Sequence, residues 1–116
     1  MLKEKQSHAE SVLLLKTQDR YSNECQIHSL YYRQHGDTYI VAASNETDNY
    51  KPVWYLNLKE EPIVEIEVDG VFHFAKASTP TGADRVKIWP LVEELSTNIF
   101  KSIPRNITGV ILSPMD

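Results

Sequence analysis

One cysteine, four glycines and two methionines are all that 116 residues hold of these types, and the scarcities exclude whole classes of function. A lone Cys25 cannot form an internal disulfide, which fits a reducing compartment. The glycines stand singly, so no Gly-rich loop is available to cradle a nucleotide phosphate. His8, His28, His35 and His73 show no metal-ligand spacing and have no cysteine cluster to join, so no metal site is expected. No apolar run approaches the ~20 residues of a membrane span. The first residues, MLKEKQSHAE, lack the apolar region of a signal peptide, and a cytoplasmic protein is expected. Positive charge is also short: 12 Lys and Arg stand against 16 Asp and Glu, a net charge of −4 that argues against a general nucleic-acid binder. Repeats and low-complexity tracts are absent.

What is present suits one packed domain. The composition is 41% hydrophobic and 24% charged, enough apolar bulk for a core in a chain of common domain size. Residues 1–10 read as a polar tail and residues 11–116 as a single domain. VLLLKT, from Val12 to Thr17, reads as a first buried strand, followed by a turn-rich connection, QDRYSNE. Cys25 to Gln34 reads as one long strand, with Ile27, Ser29, Tyr31 and Arg33 on one face and His28, Leu30 and Tyr32 on the other. Cys25 is expected there as a small buried hydrophobe. If Gly36-Asp37 closes a two-residue hairpin, the register runs His35–Thr38, Arg33–Ile40, Tyr31–Ala42 and Ser29–Ser44.

Gly36 to Pro62 organises the rest: a turn, the strand TYIVAAS, a polar loop from Asn45 to Lys51, then a helix from Pro52 to Glu60. Proline at a first turn suits a helix start. A second hairpin about Asp69-Gly70 puts Val64, Ile66, Val68, Val71, His73 and Ala75 on one face and Glu65, Glu67, Phe72, Phe74 and Lys76 on the other. A helix is expected over Ala83–Leu95, kinked or restarted at Pro90. Ser96 to Asn106 reads as irregular, and Ile107 to Leu112 as the last strand. Trp54 and Trp89 read most simply as core anchors. Six short strands linked mostly by hairpins, with two helices, predict a mainly β, partly open six-stranded antiparallel barrel with helices at its mouth.

The run VAAS, a polar loop, PVWYLNLKEEP and a following Val/Ile-Glu strand resembles the deazaflavin-dependent nitroreductase family. The resemblance continues through Asp69-Gly70, TGADR at Thr81, IWP at Ile88 and the closing GVILSP. It implies a split β-barrel that binds the deazaflavin coenzyme F-420 and uses it for hydride transfer to a small, electron-poor substrate. It further implies that Tyr31 and Ser44 face ring and substrate in a catalytic, positioning role. Arg20, Ser22, Ser44, Asn45, Lys51, Pro52, Trp54 and Asn57 form the implied cofactor-binding set, with Arg20, Asn45 and Lys51 at the anionic tail and Trp54 walling the pocket.

The chain departs from that family at the tail. Where relatives carry Gly-Arg-Lys-Ser-Gly between the first two strands, it reads Asp19-Arg20-Tyr21-Ser22-Asn23; Gln26 stands where an Arg is common, and Asn45 where a Lys can stand. Each missing cation removes a charge-assisted bond worth ~1–2 kcal/mol. FMN, with one phosphate, is therefore the alternative cofactor. A non-catalytic split barrel, binding a tetrapyrrole-like ligand or a protein partner, is the alternative function. The expected partner is a small-molecule substrate, and the expected state a monomer or homodimer.

Overall fold

The computed structural model describes residues 11–43, 52–100 and 107–115. Among them the chain forms β1 (Val12–Gln18), β2 (Cys25–Tyr31), β3 (Arg33–His35), β4 (Thr38–Ala43), α1 (Val53–Glu60), β5 (Ile63–Val68), β6 (Val71–Ser78), α2 (Gly82–Phe100) and β7 (Thr108–Pro114). All pairings are antiparallel, in the order β2-β1-β5-β6-β7-β4-β3. The sheet thus begins and ends on strands adjacent in the chain, which makes it a partly open barrel.

Seven strands stand where six are expected, because the long second strand breaks at Tyr32. Tyr32 is buried, and its N–H donates to the Ser11 carbonyl at 3.0 Å. Its ring meets that of Tyr39 edge-on at 5.3 Å. Anchored there, β2 pairs with β1 and β3 pairs with β4. The expected register holds for His35–Thr38 and Arg33–Ile40 but not beyond: Tyr31 pairs with Val12, and Ala42 pairs with Gly109. Ser44 lies outside the described residues, so the Ser29–Ser44 pairing does too.

The second hairpin follows its sequence pattern. Val64, Ile66, Val68 and Ala75 are buried, while Phe72 and Phe74 face solvent. Asp69 and Gly70 turn the chain with φ of 52° and 81°, the left-handed pair that a tight two-residue hairpin requires. Cys25 corrects the expectation of a buried thiol. It is exposed, because it opens β2 on the outward face shared with Ile27, Ser29 and Tyr31.

One core fills the barrel, from Leu13 and Leu15 through Val41, Trp54, Leu58 and Ile66 to Val110 and Leu112. A second joins Ile88, Val92 and Leu95 of α2 to Ile40 and Ile107, with Trp89 partly buried at its margin. Here α2 lies so close to β7 that a Cβ on Gly109 would sit 2.7 Å from Val92 Cγ2. The helix is longer than expected, passing Pro90 without interruption and taking in residues 96–100. Pro90 lies on the exposed side, and Val86, whose carbonyl loses its helical partner to the missing N–H, is open to water. Two bonds fasten the far turns: Ser96 Oγ donates to the Val92 carbonyl at 2.9 Å, and Arg33 Nε to Glu94 Oε1 at 2.9 Å.

Candidate functional site

The polar centre of the molecule is built around a residue on an otherwise apolar helix stripe. Trp54, Asn57 and Leu58 of α1 fall at helical spacing and are all buried, with Asn57 only 1% exposed. A buried amide must find partners. Asn57 Nδ2 donates to Thr17 Oγ1 at 3.1 Å and to Gln26 Oε1 at 3.4 Å. Asn57 Oδ1 accepts from the Arg20 backbone N–H at 3.2 Å and from Arg20 Nη1 at 3.4 Å. One side chain therefore ties α1 to the end of β1, to the start of β2 and to the turn between them.

That turn has its own frame. Asp19 N–H donates to the Glu24 carbonyl, and Asn23 N–H to the Asp19 carbonyl, each at 2.8 Å. Asn23 adopts φ 65°, a conformation its short polar side chain tolerates. Asp19 Oδ2 accepts from the N–H groups of Tyr21 at 3.1 Å and Ser22 at 2.9 Å, and from Ser22 Oγ at 3.1 Å. Asp19 Oδ1 takes a longer bond from Gln26 Nε2 at 3.5 Å. The Ser22 and Tyr21 amides hold the Asp19 carboxyl below its ordinary range; partial desolvation opposes them, and the Ser22 hydroxyl and the Arg20 charge add smaller lowering effects. The Arg20 guanidinium lies over the Tyr21 ring, 4.6 Å from its centroid, and Nη2 donates to the Tyr21 hydroxyl at 3.4 Å.

Of the residues singled out from sequence, Arg20, Ser22, Trp54 and Asn57 gather at or behind this junction. Ser22 lies at the exposed tip and Trp54 in the barrel core beneath. Pro52 caps α1, its carbonyl accepting from Tyr55 and Leu56 N–H at 3.1 and 3.3 Å. Tyr31, 42% exposed, lies at the other end of the β1–β2 hairpin, opposite Val12. At a strand rise of ~3.3 Å, the length of β2 places it roughly 20 Å from the turn. Ser44, Asn45 and Lys51 lie outside the described residues. A groove of about 240 Å³ adjoins the junction, lined by Thr17, Gln18 and Cys25 with Glu61, Ile63 and Phe74. Smaller ones of about 100 and 110 Å³ lie along β1 and β5 and between α1 and β6, and none of the three includes Arg20 or Tyr31.

Sequence reasoning did not single out Thr17, and it read Asp19 and Gln26 only as departures from a motif. A polar residue continuing the buried period of Leu13 and Leu15 was the available signal for Thr17. For Asp19 it was an Asp with a serine three residues on, the pattern of a side chain bonding its own turn. His28 is a further buried polar group: its Nε2 has no hydrogen-bond partner among the described residues, and burial pushes its pKa down. Among the described residues, no three His, Cys, Asp or Glu side chains gather as metal ligands. No described helix is long and apolar enough to cross a membrane.

Of this set, the Arg20 cation is the group that suits a cofactor with an anionic tail. The partly buried Arg20 side chain stands beside a turn whose N–H groups already have partners within the chain, and α1 carries no acidic residue in its first turn. Among the described residues of the turn, the Asp19 and Glu24 carboxylates oppose it.

Residues 4–114 match the family model of the F420H(2)-dependent quinone reductases. The F420H(2)-dependent quinone reductase of Mycobacterium tuberculosis strain H37Rv is 38% identical over 91 residues, covering 76% of this chain. The chain spans about 60% of the length of that relative. An F420-H2-dependent reductase structure, FDR-A, superposes with a TM-score of 0.71 at 22% identity, over 89% of this chain and 94% of that one. A heme-binding protein from Mycobacterium smegmatis superposes with a TM-score of 0.71 at 13% identity, over 94% of this chain and 48% of that one. At those identities the two structures speak for the fold alone.

Proposed function

The chain belongs to the F420H(2)-dependent quinone reductase family, and on that premise we propose that it is a deazaflavin-dependent oxidoreductase acting on a small, electron-poor acceptor of the quinone type. The observation that carries the reading is the Asn57 junction. It fixes the β1–β2 turn against α1 and holds Arg20 there by two bonds to a single buried oxygen. A preset guanidinium binds an anionic tail with less loss of side-chain freedom than a mobile one.

The bound coenzyme F-420 would supply the hydride. The chain's part is binding and orientation. Arg20 would hold the tail, with Ser22 and with Asn45 and Lys51, which lie outside the described residues. Pro52 sets the start of α1, Asn57 acts through Arg20, and Trp54 packs the floor below. Tyr31, at the far end of the hairpin, orients the ring and acceptor together with Ser44. The separation of Arg20 from Tyr31 suits an elongated ligand with its charge at one end.

The test is a titration of the purified protein with oxidised deazaflavin coenzyme and, side by side, with FMN. Saturable binding of the deazaflavin and oxidation of its reduced form by a soluble naphthoquinone are expected. Binding of FMN in preference would move the proposal to the alternative cofactor, and binding of neither would remove the oxidoreductase reading.

A further inference from the structure

The turn that carries Arg20 already holds an anion, and that anion belongs to the chain. Asp19 Oδ2 lies within hydrogen-bond distance of three donors: Tyr21 N–H at 3.1 Å, Ser22 N–H at 2.9 Å and Ser22 Oγ at 3.1 Å. Its other oxygen accepts from Gln26 Nε2 at 3.5 Å. Consecutive backbone N–H groups converging on one point, joined by a hydroxyl, form a donor arrangement that binds phosphate oxygens. Meanwhile Arg20 turns its two terminal nitrogens to Asn57 Oδ1 and the Tyr21 hydroxyl.

We infer that Asp19 is a specificity-determining residue of this site: its carboxylate fills the anion-binding donors of the β1–β2 turn and so discriminates against a highly charged ligand tail. The inference rests on the proposed function for the identity of the ligand and on the bonds to Asp19 for the occupied donors. An incoming phosphate meets a fixed negative charge and amides already engaged. Binding then relies on what Arg20 retains and on contacts to the ring. Such a turn holds a charged tail more weakly than one with free donors, and Arg20 is left as the anchor. The bonds from Tyr21 and Ser22 also shape the turn, so a structural role and a selective one must be separated by measurement.

Two variants do so. Asp19→Gly removes the carboxylate and frees the donors. Asp19→Asn keeps an accepting oxygen for the Tyr21 and Ser22 donors and removes the charge, its other oxygen becoming an NH2, which preserves the turn if glycine loosens it. The first readout is the amide resonances of Tyr21 and Ser22 during titration with inorganic phosphate. Phosphate should shift them in Asp19→Gly, and less in Asp19→Asn, at concentrations that leave the parent unmoved. The second readout compares coenzyme F-420 with the same deazaflavin chromophore lacking its phosphate and glutamyl tail. Asp19→Gly should raise affinity for the tailed form roughly tenfold, the return of one bond to a charged group, and leave the tailless form within about twofold. The inference is overturned if phosphate shifts the parent amides as much as those of the variants, or shifts none of them. It is equally overturned if both chromophore forms gain alike. A protein whose amides respond as expected but which binds neither chromophore would retain the anion-filled turn and lose the deazaflavin reading.

Discussion

Asn57 Oδ1 accepts from both ends of Arg20, the backbone N–H at 3.2 Å and guanidinium Nη1 at 3.4 Å, across 37 positions of sequence. Because Asn57 Nδ2 also donates to Thr17 and Gln26, the amide leaves β1, β2, their turn and α1 no freedom to shift independently. Asn57→Leu would keep much of the volume and strand the buried groups it serves. The expected loss is about 1–3 kcal/mol, the cost of leaving buried polar groups unpaired, read by urea unfolding. Arg20 should also lose its preset position, so affinity for an anionic ligand should fall in the folded variant.

The contact between α2 and β7 gives a test of packing independent of the site. A Cβ on Gly109 would meet Val92 Cγ2 at 2.7 Å and Ile88 Cδ1 at 3.0 Å, both in the second core. Gly109→Ala should therefore destabilise the fold by about 1–3 kcal/mol, the usual range for overpacking. A melting temperature equal to that of the parent would show that α2 can retreat from β7 without cost.

His28 sets an expectation for pH. Burial lowers its pKa below the ordinary 6.5. An unfolded chain therefore binds a proton at a higher pH than the folded one. Between those two values ν_U exceeds ν_N, so stability rises with pH. The contribution is fully present above about 6.5, the unfolded value, and is lost as pH falls toward the depressed folded value. Denaturant unfolding of the parent and of His28→Gln from pH 7.5 to pH 5 should show a steeper acid loss in the parent. Parallel curves would mean that His28 titrates normally in the folded protein.

Much of the barrel was legible because hairpin chemistry and strand period act locally. Asp69-Gly70 and the alternation about it set a register seen unchanged in Ile66–His73 and Val64–Ala75. The break at Tyr32 was not legible, since it depends on a bond to Ser11 and a ring contact with Tyr39, neither visible in a strand pattern. The passage of α2 through Pro90 was missed for a related reason: local propensity marks a breaker, and the packing of Ile88, Val92 and Leu95 overrides it. At the site, the sequence marked Arg20 and Asn57 separately. It carried no sign that they meet, nor that Asp19 would occupy the turn's donors.

Tyr31 is assigned to orientation, and a conservative change tests that assignment. Tyr31→Phe removes one neutral hydrogen bond, worth about 1 kcal/mol, or roughly fivefold in rate. Turnover should fall by that order and the coenzyme dissociation constant should change less. Equal turnover in the variant would take Tyr31 out of the mechanism.

In the proposed function Arg20, preset by Asn57, holds a reduced deazaflavin that gives its hydride to a quinone. The most direct measurement follows the oxidation of reduced coenzyme F-420 by a soluble naphthoquinone, with the parent and with Arg20→Ala. Protein-dependent, saturable oxidation is expected in the parent. Arg20→Ala should show a higher KM for the coenzyme, a kcat nearly unchanged and a weaker dependence of KM on salt. Oxidation at the uncatalysed rate in the parent, or an Arg20→Ala protein with unchanged KM and unchanged salt dependence, would refute that role.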